Sequence, residues 1–199
     1  MTSDPASVSR VTSVVEGHGE VAALPILLRR VAAERGYYPQ INKPHRIARS
    51  DFRTRRVADA YRLQRARATQ TGVVVLLCDL DDDDLQELNA AIAQQVPISP
   101  GVVIGVAVRE YEAWFLAALG SLRGHRAVRD NAADYANPEG PRNAKKPLEE
   151  AMTESYKETI HQPAFSELLD LEGARGRSSS FSSFCELLWA ALAAEDARR

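Results

Sequence analysis

Short continuous apolar runs alternate along this chain with segments whose apolar residues recur at helical spacing. Val11 to Val15 reads as a first strand. After Gly17, the residues Val21, Leu24, Leu27, Leu28 and Val31 share one face of a predicted helix, which Gly36 ends. A weak second strand is expected around His45 to Ser50. A basic helix follows over Phe52 to Thr69, with Val57, Ala60, Tyr61 and Leu63 available for burial. Gly72 opens a third strand, VVVLLC, whose unbroken apolar character suits a strand covered on both faces. A helix over Asp83 to Gln95 starts on acidic residues that complement its dipole. The fourth strand, VVIGVAV at 102–108, runs into REYEAWFLAAL, read as an amphipathic helix. The order β-α-β-α-β-α-β predicts an α/β fold with a four-stranded parallel sheet, right-handed crossovers and flanking helices.

Beyond Gly120 the pattern changes. Residues 130–147, rich in Pro, Asn and Gly, read as a loop. Helices are expected over Pro147 to Tyr156 and Pro163 to Leu171, then a small polar run from Arg175 to Ser180 and a last helix from Phe181 to Ala194. Residues 1–9 read as a frayed tail. The expected organisation is one domain over 1–199, with an α/β core at 8–120 and a loop and helical extension at 121–199 packed on it.

Charge adds a second pattern. The formal net charge is −2 over 199 residues, but it is segregated. Lys43 to Arg67 is strongly basic, and from Asp79 to Glu87 every charge is acidic. That asymmetry suits either a polyanion held beside an acidic pocket or an ordinary solvated helix face. Arg46, Arg49, Arg53, Arg55 and Arg56 are the candidate nucleic-acid contacts. The two cysteines, Cys78 and Cys185, form no disulfide framework, so a reducing cytoplasm is expected. His18, His45, His125 and His161 are scattered, which argues against zinc. No apolar stretch is long enough to span a bilayer, and the first residues lack an apolar signal region.

The candidate chemistry lies where strands stop. Glu16 and Glu20 follow the first strand in VVEGHGE, and Asp79, Asp81 and Asp83 follow the third in LCDLDDDD. Glu110 and Glu112 follow the fourth. Parallel strands end on one edge, where open α/β folds keep their sites. Period-two spacing places Asp79 and Asp81 on one side while the chain stays extended. Asp83 either joins them or caps the next helix, and Asp82 and Asp84 read as caps. Carboxylates crowded in this way call for a hard cation, Mg²⁺ or Mn²⁺. Lys145 and Lys146 read as a solvated pair in a loop. His18 reads more readily as a turn residue than as a ligand.

Glu-Gly after the first strand and Asp-x-Asp after the third resemble the Toprim domain of topoisomerases, primases and the overcoming-lysogenization-defect nucleases, over about residues 8 to 120. The segments VEGHGE, LCDLDDDD, REYEAWFLA, YKETIHQPAFSELLDL and RSSSF resemble a Toprim-like family of bacterial proteins of unknown function across nearly the whole chain. The resemblance implies a Toprim-like core and a two-metal nuclease site. Glu16 would be acid/base or ligand, Asp79 and Asp81 would be ligands, Glu20 and Glu112 would complete the set, and Lys145 or Lys146 would stabilise charge. It also implies an ABC-type or related ATPase partner and a role in phage defence. A haloacid-dehalogenase-like phosphatase and a receiver domain fit less well, because their acidic groups follow the first strand in a different pattern. The alternative to catalysis is a Toprim-like subunit that binds metal or nucleic acid and serves an ATPase.

Overall fold

In the computed structural model, residues 9–68 and 72–198 are described. The expected frayed tail, apart from Ser9, and Thr69 at the expected end of the basic helix lie outside them. The strands are β1 (Arg10–Val15), β2 (Gln40–Ile41), β3 (His45–Arg46), β4 (Val73–Asp79) and β5 (Val102–Ala107). The order is β2-β1-β4-β5, with β3 also on β1, and every pairing is parallel. Of the strand expected around His45 to Ser50 only β3 forms, since Arg49 and Ser50 enter a 3-10 turn, and β2 is a further short piece that precedes it along β1. Pro44 stands between them and has no N–H to donate to a ladder.

Alternate residues of β4 enter two separate cores. Val73, Val75 and Leu77 face helices α1 (Glu20–Ala33) and α8 (Ser179–Asp196). Val74, Leu76 and Cys78 face α2 (Arg55–Ala68), α3 (Leu85–Gln95) and Phe52 in a 3-10 turn, Arg49–Arg53. Cover on both faces is the physical reason for the unbroken apolar run.

The segment after β5 departs from its amphipathic reading. Helix α4 (Glu112–Ala117) is buried all round, because the extension covers its outer side. That cover comes from α5 (Lys145–Glu150), α6 (Glu158–Leu168) and α7 (Leu171–Arg177). Helix α6 starts before Pro163, which lies inside it, and α7 occupies much of the expected polar run. Ser178 then caps α8, its Oγ accepting from the Phe181 N–H at 3.1 Å.

Helix α8 seats on β5 through Gly105. A Cβ there would stand 2.7 Å from Phe184 Cδ2 and 3.2 Å from Leu77 Cδ1. Phe184 stacks on Trp114 at 5.3 Å between ring centres, Phe181 tilts against the same indole at 5.1 Å, and the Trp114 indole N–H donates to Ser180 Oγ at 2.8 Å. Gly105→Ala should therefore overpack this seat and cost about 1–3 kcal/mol in urea unfolding. Ile98→Ala, at a position 80% exposed, should stay within roughly 0.5 kcal/mol of wild type.

Candidate functional site

The register fixes where the acids emerge. Val15 pairs with Leu77 and Asp79 with Ala107, so β1, β4 and β5 end side by side. Glu16 Oε2 accepts the Asp79 N–H at 3.3 Å, and Asp79 Oδ1 accepts the Tyr111 N–H at 2.9 Å. Glu20, on the first turn of α1, reaches back to accept the Glu16 N–H at 3.2 Å. Glu112 opens α4 and is fully buried.

Two glycines make this convergence possible. A Cβ on Gly17 would stand 2.7 Å from Glu20 Oε1. One on Gly19 would stand 2.2 Å from Gln162 Oε1 and 2.7 Å from the Glu158 carbonyl oxygen. Gly17 thus leaves space for a carboxylate, and Gly19 lets α6 close against the start of α1. The role of Gly19 depends on a helix remote in the chain, and its only trace in the sequence is the pair of glycines flanking His18 between Glu16 and Glu20.

The resulting pocket, about 300 Å³, is lined by Glu16, Glu20, Asp79, Glu112 and Glu158, with Arg46, Arg49, Lys145, His18 and Gln162 around them. Lys145 Nζ lies 2.8 Å from Glu158 Oε1 and 3.3 Å from Glu110 Oε1. The structure separates the lysine pair: Lys145 lines the pocket, while Lys146 is exposed and lies outside that lining. It separates the glutamates too. Glu110 accepts the Ala144 and Lys145 N–H groups at 2.7 and 3.3 Å, anchoring the start of α5.

The later aspartates diverge from Asp79. Asp81 adopts φ 53°, so the chain is no longer extended there and period-two geometry lapses. Its carboxylate is 54% exposed, outside the pocket lining, and lies 3.5 Å from Arg49 Nε. Asp83 pairs with Arg49 and with Arg53, the latter at 2.8 Å. Asp82 pairs with Arg109 and Arg142 rather than capping a helix. Asp84 caps α3, accepting from the Gln86 and Glu87 N–H groups at 2.8 and 3.0 Å.

Those pairs also claim much of the basic segment. Arg49 bridges Glu16, Asp81 and Asp83, and Arg56 lies 3.4 Å from Asp51. Arg46 lines the pocket and donates to the Glu16 carbonyl at 3.2 Å. Arg55 is exposed.

Burial dominates the electrostatics of the acids. It pushes Glu16 up to about 7, against the Asp79 N–H and Arg49, which favour the charged form. It pushes Glu20 up to about 8, with the charges of Glu16 and Glu112 adding to the rise. Asp79 is raised well above the carboxylate range by burial and by Glu20, Glu112 and Glu16. Burial also raises Glu112, with Lys145 opposing it. Burial disfavours the Lys145 ammonium, but Glu112, Glu158 and Glu110 outweigh that and hold its pKa above the ordinary lysine value.

Among the described residues, no three His, Cys, Asp or Glu side chains are gathered closely enough to hold a metal ion as they stand. The donor set still suits a hard cation: it is all oxygen, buried and like-charged, and Glu112 Oε2 is buried without a hydrogen-bond partner.

The raised carboxyls give a signed pH dependence. Their folded pKa values exceed the ordinary glutamate value of 4.5, so the folded state binds protons more tightly than the unfolded chain. The associated stability is full below about pH 4.5 and is lost as pH rises through about 7 and 8. In EDTA, this contribution should lower Tm by several degrees between about pH 5 and 8. Glu20→Gln should flatten the upper part of that fall, as differential scanning calorimetry of the two proteins will show.

No curated protein and no solved structure matches the chain. Among the described residues no helix is long and apolar enough to cross a membrane. Residues 15–188 match the family described as Domain of unknown function (DUF4276), a span from the end of β1 to α8 that takes in every pocket residue. The chain belongs to the DUF4276 family.

Proposed function

We propose that the pocket hydrolyses phosphodiester bonds of nucleic acid with the help of Mg²⁺ or Mn²⁺, making the protein a metal-dependent nuclease. The observation that carries this reading is the gathering of Glu16, Glu20, Asp79 and Glu112 in one pocket beside Lys145. The resemblance of the two acid motifs to Toprim nucleases supports it.

Glu16, Glu20, Asp79 and Glu112 would hold the cation, while Asp81 and Asp83 lie outside the pocket lining and pair with Arg49 and Arg53. Such an ion, when bound, lowers the pKa of water and stabilises charge on phosphoryl and leaving oxygens. Glu16, raised to about 7 by burial in the pocket, would act either as the group that takes a proton at neutral pH or, ionised, as a ligand. Lys145, kept charged by its carboxylate neighbours, is placed to stabilise negative charge that develops in the transition state. Arg46 and Arg49 line the same pocket, where they can orient a phosphate backbone without reading sequence.

A second reading, a non-catalytic partner of an ATPase, is favoured by one surface feature. A groove of about 250 Å³ along β5 is lined by Ile104, Val106, Leu85 and Leu187, the last two exposed. That reading gains if the cleavage assay below is negative for wild type.

Mn²⁺ at 100 times its Kd should stabilise the wild type by about 2.7 kcal/mol, and Asp79→Asn should lose that shift. Glu16→Gln should remain folded while Mg²⁺-dependent cleavage of plasmid, single-stranded DNA or RNA falls by about 10²–10⁴. Wild-type cleavage by folded Glu16→Gln would refute the role of that carboxylate.

Arg46→Ala should weaken nucleic-acid binding evenly across sequences and reduce the salt slope by about 1. Fluorescence anisotropy over a salt series measures both, and an unchanged slope would remove Arg46 from the interface.

A further inference from the structure

Two donors converge on one oxygen of Glu112. The Tyr156 hydroxyl and the Gln162 amide Nε2–H each donate to Oε1 at 2.8 Å. The other oxygen, Oε2, is buried and has no hydrogen-bond partner among the described residues. This asymmetry is chemically incomplete. With Oε1 accepting from two donors, the proton of a neutral carboxyl belongs on Oε2, where it finds no acceptor. If the group is ionised, Oε2 finds no donor. A buried polar atom left in that state is costly. Glu112 lines the same pocket as Glu16, Glu20 and Asp79, so a ligand in that pocket can supply the missing partner.

Neither donor belongs to the sheet core. Gln162 lies on α6, and Tyr156 lies just before it. The Tyr156 ring stacks on His161 at 5.6 Å with 23° between planes. His161 is itself fixed: its Nδ1 accepts the Lys157 N–H at 2.8 Å, which leaves Nε2 to donate to Glu154 Oε1 at 3.1 Å in the neutral ring. The extension therefore carries two donors aimed at one carboxylate oxygen, Tyr156 braced by His161 and Gln162 fixed on α6.

We infer that Tyr156 and Gln162 are positioning residues of the cation site, holding Glu112 by Oε1 so that Oε2 serves as the ligand of a divalent cation. The C-terminal extension then sets metal affinity, not merely the shelter of the core. This inference rests on the pocket being a cation site. Groups that orient a metal ligand in this way typically change affinity by about 10–100-fold when removed.

The test is Mn²⁺ affinity of the full chain by electron paramagnetic resonance, for wild type, Tyr156→Phe, Gln162→Met, Glu112→Gln and the Tyr156→Phe, Glu112→Gln double variant. Each of Tyr156→Phe and Gln162→Met should lose about 10–100-fold in affinity, with circular dichroism in EDTA unchanged. Should one of them fail to fold, the other carries the measurement. In the Glu112→Gln background, Tyr156→Phe should cause no further loss, because the oxygen it orients is no longer a charged ligand. An equal loss in both backgrounds indicates a general structural effect and overturns the inference. Unchanged affinity in both single variants, with wild type binding Mn²⁺, overturns it while leaving the cation site standing. Wild type that binds no Mn²⁺ overturns the cation-site reading and this inference with it.

Discussion

The structure is organised around the cost of burying like charges together. Glu16, Glu20, Asp79 and Glu112 sit at the carboxyl edge of a parallel sheet, where desolvation raises the pKa of each one and the neighbouring carboxylates raise Glu20 and Asp79 further. Such a cluster persists only if other contacts offset that cost. The surrounding structure supplies them: backbone N–H groups of Glu16, Asp79 and Tyr111, side-chain donors from Tyr156 and Gln162, and the Lys145 ammonium nearby. The fold places the acids, and the neighbouring donors make their burial tolerable.

The C-terminal extension is as much a wall of the pocket as the sheet is. Helix α6 brings Glu158 and Gln162 against the first turn of α1, and Gly19 lets it come that close. Glu110 holds the start of α5 and pairs with Lys145, so the lysine's position depends on a carboxylate from the core. Trp114 ties α4 to α8 through Ser180, whose Oγ also accepts the Val108 N–H at 3.2 Å. Core and extension share one hydrophobic cluster, and the pocket lies where they meet.

The acidic run after β4 divides by backbone conformation. Asp79 is the last residue of the strand and faces the pocket. Asp81 turns into the left-handed region, and its carboxylate meets Arg49. The basic segment is drawn to this run as well as to solvent, so Arg49 links the two charged blocks. That arrangement neutralises both blocks locally and leaves Arg46 and Lys145 as the cations that line the pocket beside Arg49.

The sequence by itself determined the α/β order, the parallel sheet and the strand ends that carry acids. Apolar runs such as VVVLLC can be buried on both faces only within a covered sheet, and parallel strands end on one edge whatever the details. It left other matters open for equally physical reasons. Whether Lys145 or Lys146 enters the pocket depends on which way the first turn of α5 faces, and Glu110 settles that from 35 residues away. Asp79 and Asp81 look equivalent by spacing, but the positive φ at Asp81 separates them. Tyr156, Glu158 and Gln162 carried no signal in the pattern of polar and apolar positions, because a polar group on a helix or just before it reads as solvated until another element covers it. Only the packing of α6 on α1 and α4, which is non-local in the chain, made them part of the site.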